Sequence, residues 1–189
     1  MIEERSTYFV DVILPIPVNS EFTYRVPFEL NEFAQIGVRV VVPFGKTKFI
    51  TGVITNVHQS IPSYPAKYVE YVLDDSPIIT ANQLKLWRWM SAYYLAPIGD
   101  ILNAALPANY KLASETKIVL HPDYERGSLE LTAREQEATD AVTAREQLDV
   151  KELAEILGIK TIMPIVNKLI QKGILITLED IQQKYSPKK

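Results

Sequence analysis

The sequence predicts an α+β chain in two parts, and three observations predict it. Five short runs rich in β-branched and aromatic residues, each stopped by Pro, Gly or polar residues, occupy the stretch 8–73. An aromatic-rich helical pattern follows, opened by Thr80 and Gln83 at capping-box spacing. The last third carries two more such boxes, Thr132 with Glu135 and Asp149 with Glu152, each ahead of a helical run. Together they imply a small twisted β-sheet or partly open barrel with a packed helix, followed by a mainly helical unit.

Residues 8–14 (YFVDVIL) form the first strand, with Asp11 its lone charge. Pro15 and Pro17 lack the N–H that a ladder needs, and they end it. Asn19-Ser20-Glu21 is a polar turn into the second strand, 22–26, which Pro27 stops. Residues 28–36 read as a loop or a single helical turn leading to Gly37. The third and fourth strands, 38–42 and 50–57, flank a tight Pro43-Phe44-Gly45-Lys46 connection. Within the fourth, Gly52 interrupts a half-buried alternation, so it marks a bulge or a close backbone approach. A loop of Ser, Pro and Tyr at 59–66 then leads to a fifth strand, 67–73.

The helix that Thr80 opens runs to about Leu95 and places Leu86, Met90 and Tyr93 on one side. Trp87, Met90 and Tyr94 lie on a neighbouring side, with Trp89 beside them. So wide an apolar arc predicts a helix covered on more than one flank. A ladder that stacks bases is the rarer use of aromatics at this spacing. Pro97-Ile98-Gly99-Asp100 breaks the helix, and residues 101–106 begin a short second one that Pro107 ends. Apolar periodicity lapses over 107–114, which sets the expected domains at 1–110 and 111–189.

The second part begins with a short strand, 116–120, a polar turn, 122–128, and a brief extended piece at 129–131. Its first helix reaches about Ala144, and its second, with Val150, Leu153, Ala154 and Leu157 on one face, closes at Gly158. Thr161 caps a third helix with an apolar stripe of Ile162, Ile165, Val166, Leu169 and Ile170, ended by Gly173. A strand at 174–178 and a turn at Glu179-Asp180 complete the order. Helix, helix, short turn, helix, strand is the winged helix-turn-helix sequence of elements. The third helix is expected to expose Lys160, Asn167, Lys168, Gln171 and Lys172, and it has no arginine, the usual bidentate reader of guanine.

Composition narrows the function. The net charge of −3 gives no general push toward a polyanion, so any nucleic-acid contact must be local. Without cysteine there is no disulfide framework or thiolate metal site, which suits a cytoplasmic protein. His58 and His121 are too far apart in sequence to suggest a zinc centre, and no metal is expected. The start, MIEERSTYF, has two glutamates and no apolar run behind them, so no secretory signal is expected. No stretch approaches the roughly 18 apolar residues of a membrane span. The phosphate-loop, dinucleotide-fingerprint, nucleophile-elbow, HExxH and EF-hand patterns are all missing, so the residues point to binding rather than catalysis.

Three loops are the binding candidates: 18–23, 43–46 and 63–67. In a meandering sheet they meet at one end. There Phe22 offers an outward ring to a base, Thr23 a hydroxyl, and Gly45 a bare backbone. Lys46 and Lys67 offer phosphate contacts, and Lys160, Lys168 and Lys172 of the third helix suit duplex phosphates. The competing reading keeps Phe22 in the core and the lysines in solvent.

Three stretches, ILPIPVNSEFTY, VVPFGK and YYLAPIGD, in this order and spacing, resemble the amino-terminal region of the bacterial primosomal protein N′ (PriA) family of replication-restart helicases. The likeness covers essentially the whole chain. It implies a domain that captures the leading-strand 3′ end at a stalled fork, with the pocket positions falling on Phe22, Thr23, Gly45 and Lys67. Better-known members carry aspartate where this chain has Thr23; a carboxylate accepts two strong bonds, whereas threonine offers a single hydroxyl. Asp100 reads as structural, bracing a helix end. Family proteins continue into two helicase lobes and a cysteine-rich zinc segment, so ATP, Mg and Zn are expected only there. Ser186-Pro187-Lys188-Lys189 reads as a cut into a linker. The implied parent is an ATP-dependent 3′-to-5′ helicase, of which this stretch hydrolyses nothing. The implied partner is forked DNA with a free 3′ leading-strand end; primosome components and single-strand DNA-binding protein are further candidates. A protein-interaction or adaptor module within the primosome is the alternative.

Overall fold

The computed structural model describes residues 7–46, 48–127, 129–159 and 162–178. The chain divides into two compact units, Met1–Leu106 and Pro107–Lys189.

The first unit is built on five antiparallel strands: β1 (Phe9–Ile13), β2 (Phe22–Arg25), β3 (Arg39–Phe44), β4 (Lys48–His58) and β5 (Tyr71–Val72), in the order β2-β1-β4-β3-β5. Alternation sorts the side chains. Val10, Val12, Val40, Val42 and Ile54 fill one face, joined by Tyr24, Val26, Val38, Val69 and Val72. Asp11 and Ile13 turn to the other face.

The β3–β4 hairpin is tighter than its sequence suggests, because Phe44 already pairs with Lys48 and Pro43 with Phe49. Pro43 is tolerated there because β5 pairs only with Val40 and Val41, which leaves the outer edge of β3 without a ladder beyond them. Gly52 is the close approach expected: a Cβ on it would lie 2.5 Å from Val12 Cγ1 and 2.7 Å from the Ile13 carbonyl oxygen. The bulge sits three residues on. Asp11 pairs with Asn56 and Val12 with Ile54, so Thr55 is the extra residue.

The expected fifth strand is split between two neighbours. Its first half flanks Arg25 of β2 in parallel, with Arg25 N–H donating to the Lys67 carbonyl (2.8 Å) and Val69 N–H to the Arg25 carbonyl (2.9 Å). Its second half pairs with β3, and there Glu70 N–H donates to the Val41 carbonyl and Leu73 N–H to the Arg39 carbonyl, both at 2.9 Å. The run therefore draws the two sheet edges together without closing a barrel. At its end Asp74 takes the buried Arg39 guanidinium, Nη2 to Oδ1 at 2.6 Å and Nε to Oδ2 at 3.0 Å.

Helices α1 (Ala81–Tyr94) and α2 (Ile98–Ala105) cover the second face, burying Leu84, Trp87, Ile98 and Leu102 on Ile13, Val53 and Ile79. The capping box forms: Thr80 N–H donates to Gln83 Oε1 (2.8 Å) and Gln83 N–H to Thr80 Oγ1 (3.3 Å). Gly99 lets α2 lie on the chain itself, since a Cβ there would sit 1.8 Å from the Ile16 carbonyl oxygen. Asp100 is exposed in the first turn of α2. One expectation fails. Only Leu84 and Trp87 of α1 are buried, while Leu86, Trp89, Tyr93 and Tyr94 stand exposed. The sheet face is narrow, and α2 takes up the flank that a wider helix face would have needed.

The second unit holds a three-stranded antiparallel sheet, β7-β6-β8, made from β6 (Lys117–Leu120), β7 (Gln147–Asp149) and β8 (Leu175–Thr177). Around it stand α3 (Ala133–Arg145), α4 (Val150–Leu157) and α5 (Met163–Gln171). Thr132 and Glu135 form their capping box, and Asp149 N–H donates to Glu152 Oε2 at 3.0 Å. Gly158 closes α4 in the left-handed region, at φ +62°. Leu153, Ile162, Val166 and Leu169 are buried as their spacing predicts. Strand β7 was not legible, being three residues with a single apolar side chain, Leu148, which pairs with Ile118. The extended piece expected at 129–131 forms no strand. Asn167, expected to face solvent, is buried beside Val166 because α5 is covered on more of its circumference than its apolar stripe implies. Thr161, Lys160 and the Glu179-Asp180 turn lie outside the described residues. Among the described residues no helix is long and apolar enough to cross a membrane.

Candidate nucleic-acid interface

At one end of the first sheet, strand ends and loops bring several of the expected residues together. Gly45 turns the β3–β4 hairpin at φ +67°, with nothing within 4 Å of where a Cβ would be. Its carbonyl accepts a 2.5 Å hydrogen bond from Lys67 Nζ, which ties the hairpin to the start of the 67–73 run. Beside the turn, the Phe44 ring meets Phe22 edge to face, centroids 5.8 Å apart. Tyr24, two residues along β2, donates its hydroxyl to the Pro43 carbonyl at 3.4 Å. Burial, and secondarily Tyr64 from the 59–66 loop, push that phenol up to about 12, so it stays a neutral donor. Phe22, Gly45 and Lys67 thus share one corner, and Lys46 is exposed in the same turn.

Two expectations about this corner need correction. The Phe22 ring does not face outward freely; it is half-buried, its body against the core cluster and its face or edge against Phe44. Thr23 does not join it. Strand alternation sends Thr23 to the opposite face, where it pairs across the ladder with Asp11 and donates Oγ1–H to Asp11 Oδ1 at 2.8 Å. Asp11 also accepts from Asn56 Nδ2 (3.1 Å), and His58 Nε2 lies 3.4 Å from its Oδ1. Burial raises the Asp11 carboxyl, yet the hydrogen bonds from Thr23, Asn56 and His58 outweigh it and hold the group below its ordinary value. The Thr23 hydroxyl proton is therefore engaged, and its oxygen is left as an acceptor.

Sequence reading missed Phe44 and Tyr24 as neighbours of the corner, and Asp11 as the partner of Thr23 on the opposite face. A signal for Asp11 was available: a lone carboxylate in an apolar strand needs polar partners on its own face.

In the second unit, Lys168 is exposed on α5. Lys172 is differently placed. Its ammonium meets both oxygens of the buried Glu135, at 2.9 and 2.8 Å. That bond is the first cause holding the Glu135 carboxyl below its usual range, aided by the Thr132 N–H. Lys160 lies outside the described residues. Among the described residues no group of three or more metal-ligating side chains comes together.

Comparison with known proteins gives the class first. Residues 11–107 match the PriA family model described as 3′DNA-binding domain (3′BD), and residues 115–180 match the model described as winged helix domain. The first covers the sheet unit with its helices, and the second covers β6 to β8, so the winged-helix expectation is borne out. The chain belongs to the PriA 3′DNA-binding domain family. It is similar to proteins named replication restart protein PriA in three bacteria. In Bacillus subtilis the identity is 30% over 141 residues, 61% of this chain and 17% of that protein. In Haemophilus influenzae it is 35% over 103 residues, 54% of this chain and 14% of that protein. In Treponema pallidum it is 26% over 142 residues, 72% and 22% respectively. The matches thus span about 14–22% of the length of these relatives.

Proposed function

We propose that this chain is a DNA-binding module of replication restart whose sheet unit receives the 3′-terminal nucleotide of a strand at the corner of Phe22, Gly45 and Lys67. The observation that carries the reading is the Lys67–Gly45 bond, which holds a cation beside an open glycine turn and a ring pair. A terminal nucleotide needs those three things: a phosphate partner, room for backbone approach, and an apolar face for the base. Phe22 and Phe44 together supply the face, Lys67 takes the last phosphate, and Lys46 the next. Lys168 gives a sequence-blind phosphate contact from the winged helix, and Lys160 is assigned the same role; Lys172 acts there only by exchanging Glu135 for phosphate.

The finer reading is the leading-strand 3′ end of a stalled fork, and it rests on the PriA relatives. In a protein of their length the module would address an ATP-driven 3′-to-5′ helicase to that end, whereas these 189 residues alone bind without hydrolysing ATP. Fork DNA with a free 3′-hydroxyl leading end, compared with the same fork ended in 3′-phosphate, tests the site. We expect tighter binding to the hydroxyl end, and Lys67→Ala should remove the difference. Equal affinity of the parent chain for both ends would sink the end-reading proposal.

A further inference from the structure

The connection between β2 and β3 has no part in the corner just described, yet it is firmly held. Phe28–Leu30 forms a short 3-10 helix, and Ala34 N–H extends it by donating to the Leu30 carbonyl at 3.1 Å. Leu30 and Ala34 turn inward and pack on the core of the sheet. Gly37 closes the segment. Its N–H donates to the Ile54 carbonyl at 2.8 Å, and its own carbonyl accepts from Ile78 and Ile79, both at 3.1 Å. On this fixed support Phe28, Phe33 and Ile36 remain 48%, 46% and 43% exposed. Glu29 and Glu32 are exposed among them. Large apolar side chains that a rigid segment holds in water, without using them for its core, mark an interaction surface.

We propose that the 28–36 connection docks a basic segment with apolar anchors from a partner protein, independently of the 3′-end corner. Charge selects this occupant. From Val26 to Val38 the only charged residues are Glu29 and Glu32. The arginines on either side are engaged elsewhere: Arg39 is buried on Asp74, and the Arg25 guanidinium lies over the Tyr68 ring, 5.2 Å from its centroid. Among the described residues no cation pairs with Glu29 or Glu32. Their charge is therefore uncompensated where Phe33 and Ile36 stand exposed. DNA phosphates and anionic lipid are repelled there, and a second copy set patch to patch would meet its own glutamates. A segment bearing lysine or arginine gains both contacts. Its apolar side chain lies against Phe33 and Ile36, and its cations reach Glu29 and Glu32. Because the support is already ordered, docking loses little backbone freedom on this side.

A fluorescein-labelled amphipathic peptide of leucine and lysine tests the surface on the full chain, with the same peptide carrying glutamate for lysine as its control. The lysine peptide should bind and the glutamate peptide should not. On binding, amide exchange should slow across residues 28–37. Phe33→Ala/Ile36→Ala should weaken binding about tenfold or more with an unchanged melting temperature, since neither side chain belongs to the core. Glu29→Gln/Glu32→Gln should weaken it similarly and flatten its dependence on salt. That variant decides alone if the apolar pair proves necessary for folding. Both variants should keep the preference for 3′-hydroxyl over 3′-phosphate forks, so this proposal and the end-reading one fail separately. The proposal is overturned by a parent chain that binds neither peptide or both alike, or by unchanged affinity in the glutamine variant. Self-association of the parent chain that is lost in Phe33→Ala/Ile36→Ala would also overturn it, assigning the surface to a second copy.

Discussion

Single residues carry two duties in this chain, and mutation should separate them. Phe22 is half core and half candidate base platform. Phe22→Ala should therefore lower stability by about 1–3 kcal/mol, less than a fully buried aromatic would cost, and also erase any 3′-end preference. Thermal melts and fork titrations on the same variant read both. Lys172 offers the sharper contrast with Lys168. Removing Lys172 leaves the buried Glu135 carboxylate without its cation, so Lys172→Ala should cost about 1–3 kcal/mol of stability, whereas Lys168→Ala should leave the melting curve in place. Because the folded Glu135 carboxyl lies below its unfolded value, its contribution is complete above the unfolded value and is lost as pH falls through the folded one. Glu135→Gln should flatten that acid-side loss, measurable as melting temperature against pH. The sequence could list Lys168 and Lys172 as equals, one turn apart. It could not tell them apart, because the distinguishing carboxylate sits 37 residues away on another helix.

Elements show the same boundary between what is local and what is not. Capping boxes are written in four consecutive residues, and Thr80 with Gln83 and Thr132 with Glu135 fold as read. Thr132→Ala should therefore cost about 0.5–2 kcal/mol, seen as a lower denaturant midpoint with an unchanged slope. Which face of a helix is covered depends on what else packs there. The aromatic arc of α1 read as buried because nothing in its periodicity reports that α2 would occupy the flank. Gly99 is the reason α2 can do so, and its role was invisible locally. Gly99→Ala should displace α2 and expose the Ile98 and Leu102 contacts, detectable as faster amide exchange across residues 98–105. Strand 67–73 was legible as extended chain but not in its partners, since period-two alternation does not say where a strand changes neighbours.

For the whole molecule, the even balance of charge means that DNA affinity must come from placed cations rather than from a general field. Lys168→Ala should thus weaken fork binding about equally for all duplex sequences and reduce the salt slope by about one ion, read from titrations at several ionic strengths. The fold class, the helices and the winged-helix arrangement were readable because each rests on spacing, whereas β7 was too short to show. The corner was readable only in part, because the loops could be named while the burial of Phe22 and the turn of Thr23 onto Asp11 depended on register. The run 67–73 is fastened at both ends, by Lys67 to the Gly45 carbonyl and by Asp74 to Arg39, and it pairs with β2 and β3 between them. The mostly exposed 59–66 loop then connects two pieces that the sheet already holds. New termini opened within that loop should give a circularly permuted protein that still folds, and a protease cut there should leave a nicked chain whose halves stay associated until the sheet itself melts.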